Sequence, residues 1–160
     1  GWTSDGSATW EVVDGVLKSS GERGHLFSPR GDYRDHDLRA RLRISDGGNS
    51  GLYFRTQPTG EWPNGYEAQV NSNYPDPQKT GSLYGRAEVH VQLVPPDTWF
   101  DYEVRCREEA QGPRITILVN GIVITEFVDG ERRFASGHVA LQQHHAGSVL
   151  EVARLEVRER

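Results

Sequence analysis

The sequence predicts an all-β chain folded as an antiparallel sandwich or barrel. Three observations carry that reading. Apolar and polar residues alternate with a period of two, the runs are short, and Gly, Pro, Asn and Asp punctuate them. No amphipathic helical window of useful length interrupts the pattern.

Taken in order, the first strands are Thr9 to Val13 and Val16 to Ser19, joined by a turn at Gly15. The stretch 37–45 alternates cleanly, with Leu38, Ala40, Leu42 and Ile44 opposing Asp37, Arg39, Arg41 and Arg43. Strands are expected at Ser50 to Arg55, Tyr66 to Asn71, Ser82 to Tyr84 and Val89 to Val94. Trp99 to Arg107 alternates again, so Cys106 points with the apolar set and reads as a small core residue. Ile115 to Val119 and Ile122 to Phe127 flank Asn120-Gly121, the signature of a two-residue hairpin whose central residues both need positive φ. His138 to His144 and Val149 to Val157 complete the set. The expected core is Leu38, Leu42, Ile44, Leu52, Phe54, Ala68, Val70, Tyr102, Val104, Leu118, Val139, Leu141 and Leu155.

With 160 residues, the chain is long enough for one domain with its own core. A net charge of -5 argues against nucleic-acid binding. No run reaches the length of a membrane span, and no signal segment is visible. A single cysteine excludes an internal disulfide and a cysteine-cluster zinc site.

Parity places Tyr53 and Arg55 opposite Leu52 and Phe54, and Glu67, Gln69 and Asn71 opposite Tyr66, Ala68 and Val70. Gln142 and His144 oppose Val139 and Leu141. Three strands thus present carboxylate, amide, guanidinium, imidazole and phenol groups on one face. Planar hydrogen-bonding groups beside an aromatic plane are what a sugar ring requires; a plain solvated face is the competing reading. Two loops, 56–65 with Pro and Gly and 72–80 with Pro and polar residues, flank the strand that carries Glu67. The histidines show no metal-ligand spacing: His144 and His145 are adjacent, so on a strand they face opposite ways, and His138 lies roughly 20 Å from His144 along it.

The strings Asn49-Ser-Gly-Leu-Tyr-Phe-Arg55, Gly65-Tyr-Glu-Ala-Gln-Val70 and Thr80-Gly-Ser-Leu-Tyr84 resemble the 3-keto-disaccharide hydrolase family. Trp10 to Leu17, Val119 to Ile122 and Gly137 to Gln142, with His144 beyond, extend the resemblance over nearly the whole chain. It implies an all-β, antiparallel two-sheet jelly-roll sandwich, concanavalin-like, as a single domain over 1–160 that lacks its first strand or is cut from a longer chain. An extracytoplasmic location is implied as well. The sequence departs from the family pattern at Thr98-Trp99-Phe100 and at Ala153, where the family carries an arginine.

The resemblance also implies chemistry. In a glycoside oxidised at C3, the ketone acidifies the C2–H. A base removes that proton, and the C1 oxygen leaves by elimination. Glu67 and His144 are the candidate bases, and Arg55 the candidate partner of the enolate. Tyr53, Gln69, Tyr84 and Gln142 are candidates for orienting hydroxyls. A divalent cation is the alternative electrophile. A carbohydrate-binding module without catalysis, and a structural domain of a larger assembly, are the alternative functions.

Overall fold

A computed structural model describes residues 1–160. It contains twelve strands and no helix. In chain order they are β1 (Thr3–Ser4), β2 (Ala8–Val13), β3 (Val16–Gly21), β4 (Gly24–Phe27), β5 (His36–Ile44) and β6 (Asn49–Gln57). There follow β7 (Asn64–Asn71), β8 (Phe100–Arg107), β9 (Arg114–Val119), β10 (Ile122–Val128), β11 (His138–Gln143) and β12 (Leu150–Glu159). They form two antiparallel sheets, one of five strands in the order β1-β4-β11-β6-β7 and one of seven in the order β10-β9-β8-β5-β12-β3-β2. The sheets face each other, so the fold is a jelly-roll sandwich and the barrel alternative falls away.

Alternation builds the core. Leu52 and Phe54 on β6, Tyr66, Ala68 and Val70 on β7, and Val139 and Leu141 on β11 point inward from the smaller sheet. Leu38, Ala40, Leu42 and Ile44 on β5 meet them, with Phe100, Tyr102, Val104 and Cys106 on β8. Cys106 is fully buried and its thiol is pushed up to about 11 by that burial, so it is a packing residue. Leu155 is the one expected core residue left half-buried. A register shift on β12 between Val152 and Arg154 breaks the alternation just ahead of it. Asn120 and Gly121 have φ of 50° and 79° and join β9 to β10, as the hairpin signature requires.

Four expectations on elements need correction. Ser82 to Tyr84 makes only isolated bridges from Leu83 to Ala68 and Ala87. Two backbone bonds nevertheless tie it to β7: Gln69 N–H to Ser82 O and Tyr84 N–H to Glu67 O. Val89 to Val94 is irregular, and Val91 and Leu93 are exposed. Strands β1 and β4 were not foreseen; both are too short to show a period. The last strand of the smaller sheet stops at Gln143, one residue before His144.

Arg55 also departs from its expected face. Its φ is 46°, and the β6–β7 register shifts between Phe54 and Gln57. This bulge turns the side chain away from Tyr53 and toward the seven-stranded sheet. There Nε donates to Arg34 O at 2.9 Å, and Nη1 donates to Phe134 O at 3.1 Å and to Glu108 Oε2 at 3.2 Å. At 1% exposure, Arg55 is a buried structural cation.

Candidate functional site

The outer face of the five-stranded sheet carries its own small apolar cluster of Phe27, Tyr53 and Ala140. Register explains it. Phe27 pairs with Ala140, Ala140 with Tyr53, and Tyr53 with Glu67, so the four form one row across β4, β11, β6 and β7. Two residues along, the next row on that face runs through His25, Gln142, Gly51 and Gln69. Gly51 leaves a gap in it. A Cβ there would intrude on Oε1 of Glu67, so glycine is what lets the carboxylate lean over the floor.

This gap opens into a cleft of about 400 Å³ lined by Asn49, Tyr53, Trp62, Pro63, Gly65, Glu67, Gln69, Tyr84, Gln142 and His144. Six of the seven residues that sequence parity and resemblance singled out meet here; Arg55 does not. Gln142 Nε2 donates to the Tyr53 hydroxyl at 3.0 Å, and that hydroxyl donates to Glu67 Oε2 at 2.8 Å. The relay fixes one carboxylate oxygen and leaves Oε1 without a hydrogen bond in the protein. Burial pushes the Glu67 carboxyl up to about 8; the Tyr53 hydroxyl pulls it down and Asp76 pushes it further up. Burial likewise raises Tyr53 far above the ordinary phenol value, with the Glu67 charge adding to it.

The loop after β7 supplies the opposite wall. Lys79 Nζ donates to Asp76 O at 2.8 Å, and Asn71 Nδ2 donates to Gln78 O at 2.9 Å, which staples the loop to its own base. Asp76 Oδ2 accepts the Tyr84 hydroxyl at 2.7 Å and pushes that phenol up to about 12. Gln69 Nε2 donates to Gln78 O at 3.4 Å. The amide oxygens of Asn49, Gln69 and Gln142 are buried and have no partner. Beneath the floor, then, lie three acceptors that the protein leaves unpaired.

Rings form the rim. Trp62 is exposed on the loop between β6 and β7, with the Arg23 guanidinium 5.0 Å from its ring and His144 at 5.5 Å. Because β11 ends at Gln143, His144 and His145 do not point to opposite faces. Their Nδ1 atoms lie 3.0 Å apart, and Tyr74 packs on both rings. Burial, chiefly, and then His145 hold the His144 pKa below its ordinary value. His25 Nδ1 lies 3.0 Å from Asp5 Oδ1, and burial lowers its pKa against the pull of that carboxylate. No three His, Cys, Asp or Glu side chains converge as metal ligands.

Sequence reasoning missed Asn49, Trp62 and the role of Gly51. Asn49 and Gly51 share the parity of Tyr53, and a tryptophan in a polar Pro/Gly loop is itself a signal. Ala153, the departure from the family pattern, is exposed on β12 in the other sheet and does not line the cleft.

The fold is shared with proteins of distant sequence. A putative glycosyl hydrolase from Parabacteroides distasonis superposes with a TM-score of 0.78 at 20% identity, over 96% of this chain and 94% of that one. The carbohydrate binding module CBM66 from Bacillus subtilis gives 0.75 at 18% identity, over 99% and 96%. The Emp47p carbohydrate recognition domain gives 0.69 at 15%, over 99% and 88%. No curated protein matches the sequence. The family model of the 3-keto-alpha-glucoside-1,2-lyase-like domain matches residues 1–158, and the chain belongs to that family.

Proposed function

We propose that the cleft binds a C3-oxidised glucoside and eliminates the substituent at C1, with Glu67 as the base that takes the C2 proton. The observation that carries this is the state of Glu67. Its carboxyl is pushed up to about 8, one oxygen is fixed by Tyr53, and the other is free above the Gly51 gap. A half-buried carboxylate of that basicity suits a carbon acid activated by a neighbouring ketone. The C2–H bond breaks to Glu67, its electron pair forms the C1=C2 bond through the enolate, and the C1–O bond breaks. The proton returns through Glu67 or water to the leaving oxygen. Water can then add across the double bond, making the net reaction a hydrolysis.

The amide oxygens of Asn49, Gln69 and Gln142 accept ring hydroxyls, and Trp62 offers an aromatic plane to the C–H face of the sugar. Arg55 has no part in this chemistry. The test is incubation with a 3-keto-glucoside bearing a chromogenic leaving group. Wild-type protein should release it, with kcat/KM rising with pH through about 8 as Glu67 ionises. Glu67→Gln should lose turnover by roughly 10² or more and keep binding, because the amide preserves shape without basicity. Binding of an unoxidised glycan with no turnover by wild type would replace this reading with a carbohydrate-binding module.

A further inference from the structure

The elimination needs a hydrogen-bond donor for the ketone oxygen as it becomes an enolate, and Arg55 is turned away from the cleft. We infer that His144 supplies that donor through Nε2–H, and that His145 is the positioning residue that sets this tautomer. The inference rests on the elimination proposed above and adds to it the group that receives the C3 oxygen.

Few lining groups can serve a ketone oxygen. Glu67 Oε1 and the amide oxygens of Asn49, Gln69 and Gln142 are acceptors only, and a ketone oxygen gains nothing from them. Most of the lining donors are committed elsewhere, Tyr53 to Glu67, Tyr84 to Asp76, Gln142 Nε2 to Tyr53 and Gln69 Nε2 to Gln78, which leaves Asn49 Nδ2, Trp62 Nε1 and the His144 ring. His144 lines the same cleft, and its Nε2 makes no hydrogen bond in the protein.

Nδ1 of His144 and Nδ1 of His145 are 3.0 Å apart, so one proton lies between them: one ring donates and the other accepts. If His145 is the donor, this cleft-lining His144 carries its own proton on Nε2, the ring nitrogen away from His145. The charged and titratable groups around His144 favour this arrangement. Asp76 faces it from the loop after β7 and attracts an N–H. Arg23, His25 and His145 oppose a second proton on the ring, as does its burial, and Tyr74 packs on it as a neutral neighbour. The ring therefore stays neutral, and a neutral imidazole N–H is a competent electrophile toward a carbonyl facing a carboxylate base. Protonation of both histidines would set N–H against N–H and drive the rings apart.

The experiment reads the tautomer and the rate separately. Long-range ¹H–¹⁵N correlation at pH 7.5 should show His144 protonated at Nε2 in the substrate-free protein. His145→Ala should lower kcat on a 3-keto-glucoside by about tenfold or more, toward the roughly 10⁴ loss of a wrong-tautomer histidine, with KM nearly unmoved. His145→Asn places an amide N–H near the position of Nδ1 and should recover most of that loss, which a merely structural role would not predict. A His144 proton on Nδ1, or an unchanged kcat in His145→Ala beside an active wild type, would overturn the inference. An inactive wild type would overturn the elimination itself and the ketone-donor role with it, whereas the tautomer would still report on the pair alone.

Discussion

At the scale of single residues, the site depends on what is absent at position 51. Glu67 lies over a glycine, and the diagonal across the pair of strands is filled by the carboxylate in place of a side chain. Gly51→Ala would put a methyl group against Oε1, Cδ and Cγ of Glu67. The carboxylate is the far end of a flexible side chain, so it would swing aside and the strand would hold. The expected outcome is a loss of turnover of about tenfold or more, since a displacement near 1 Å is costly at a reacting centre, with a fall in Tm of only a few degrees. Kinetics and a thermal melt on the same preparation check both halves. A large fall in Tm with unaltered kcat would mean that the glycine serves the sheet and not the carboxylate.

At the scale of elements, the parity of β6, β7 and β11 was legible because each strand is regular where it carries Tyr53, Glu67, Gln69 and Gln142. It failed where a strand stops being regular. At Arg55 a bulge inserts a residue with positive φ and turns the guanidinium toward Glu108. The sequence did hold a trace of this. Gly65 on β7 and Gly137 just ahead of β11 stand where Arg55 and Thr56 approach too closely for a Cβ, and glycine at facing positions marks such an approach. His144 lines the cleft although β11 ends one residue earlier; what the alternation misplaced is His145, which past the strand end lies beside His144 and does not take the opposite face. The placement of Arg55 makes a prediction distinct from catalysis. Arg55→Ala should lower stability by about 3 kcal/mol, the cost of unpairing the carbonyl oxygens of Arg34 and Phe134 and emptying a buried side-chain volume, while Glu108 keeps Arg34 and Arg132. The variant should retain kcat at a temperature where it is folded. Chemical denaturation paired with kcat measured well below the melt would test it, and a stable but inactive variant would restore Arg55 to the chemistry.

At the scale of the whole molecule, the two sheets divide the work, and the division carries an energetic cost. The outer face of the seven-stranded sheet is laced by ion pairs such as Arg41 with Asp101 and Arg154 with Asp101, each exposed and worth little to stability. The five-stranded sheet holds a carboxyl that burial makes reluctant to ionise. Glu67 keeps its proton in the folded protein up to about pH 8 but loses it near 4.5 when unfolded, so its contribution falls as pH rises between those values. His36, held at about 4 chiefly by burial, with His25 and His144 also lowered, works the other way. Unfolded chains bind protons there that the folded protein refuses, so stability rises with pH up to about 6.5. Above 6.5 the histidines are silent and Glu67 alone gives a downward slope until about 8. Wild-type stability should therefore peak near pH 6.5 and decline beyond it, whereas activity through ionised Glu67 should still be rising. Glu67→Gln should remove the decline and be more stable than wild type at pH 8, by on the order of 1 to 3 kcal/mol. Thermal melts of both proteins from pH 5 to 9 at one ionic strength would show this. Parallel curves for the two would mean that Glu67 ionises at an ordinary carboxylate pKa, and the proposal that it is a strengthened base would fail with them.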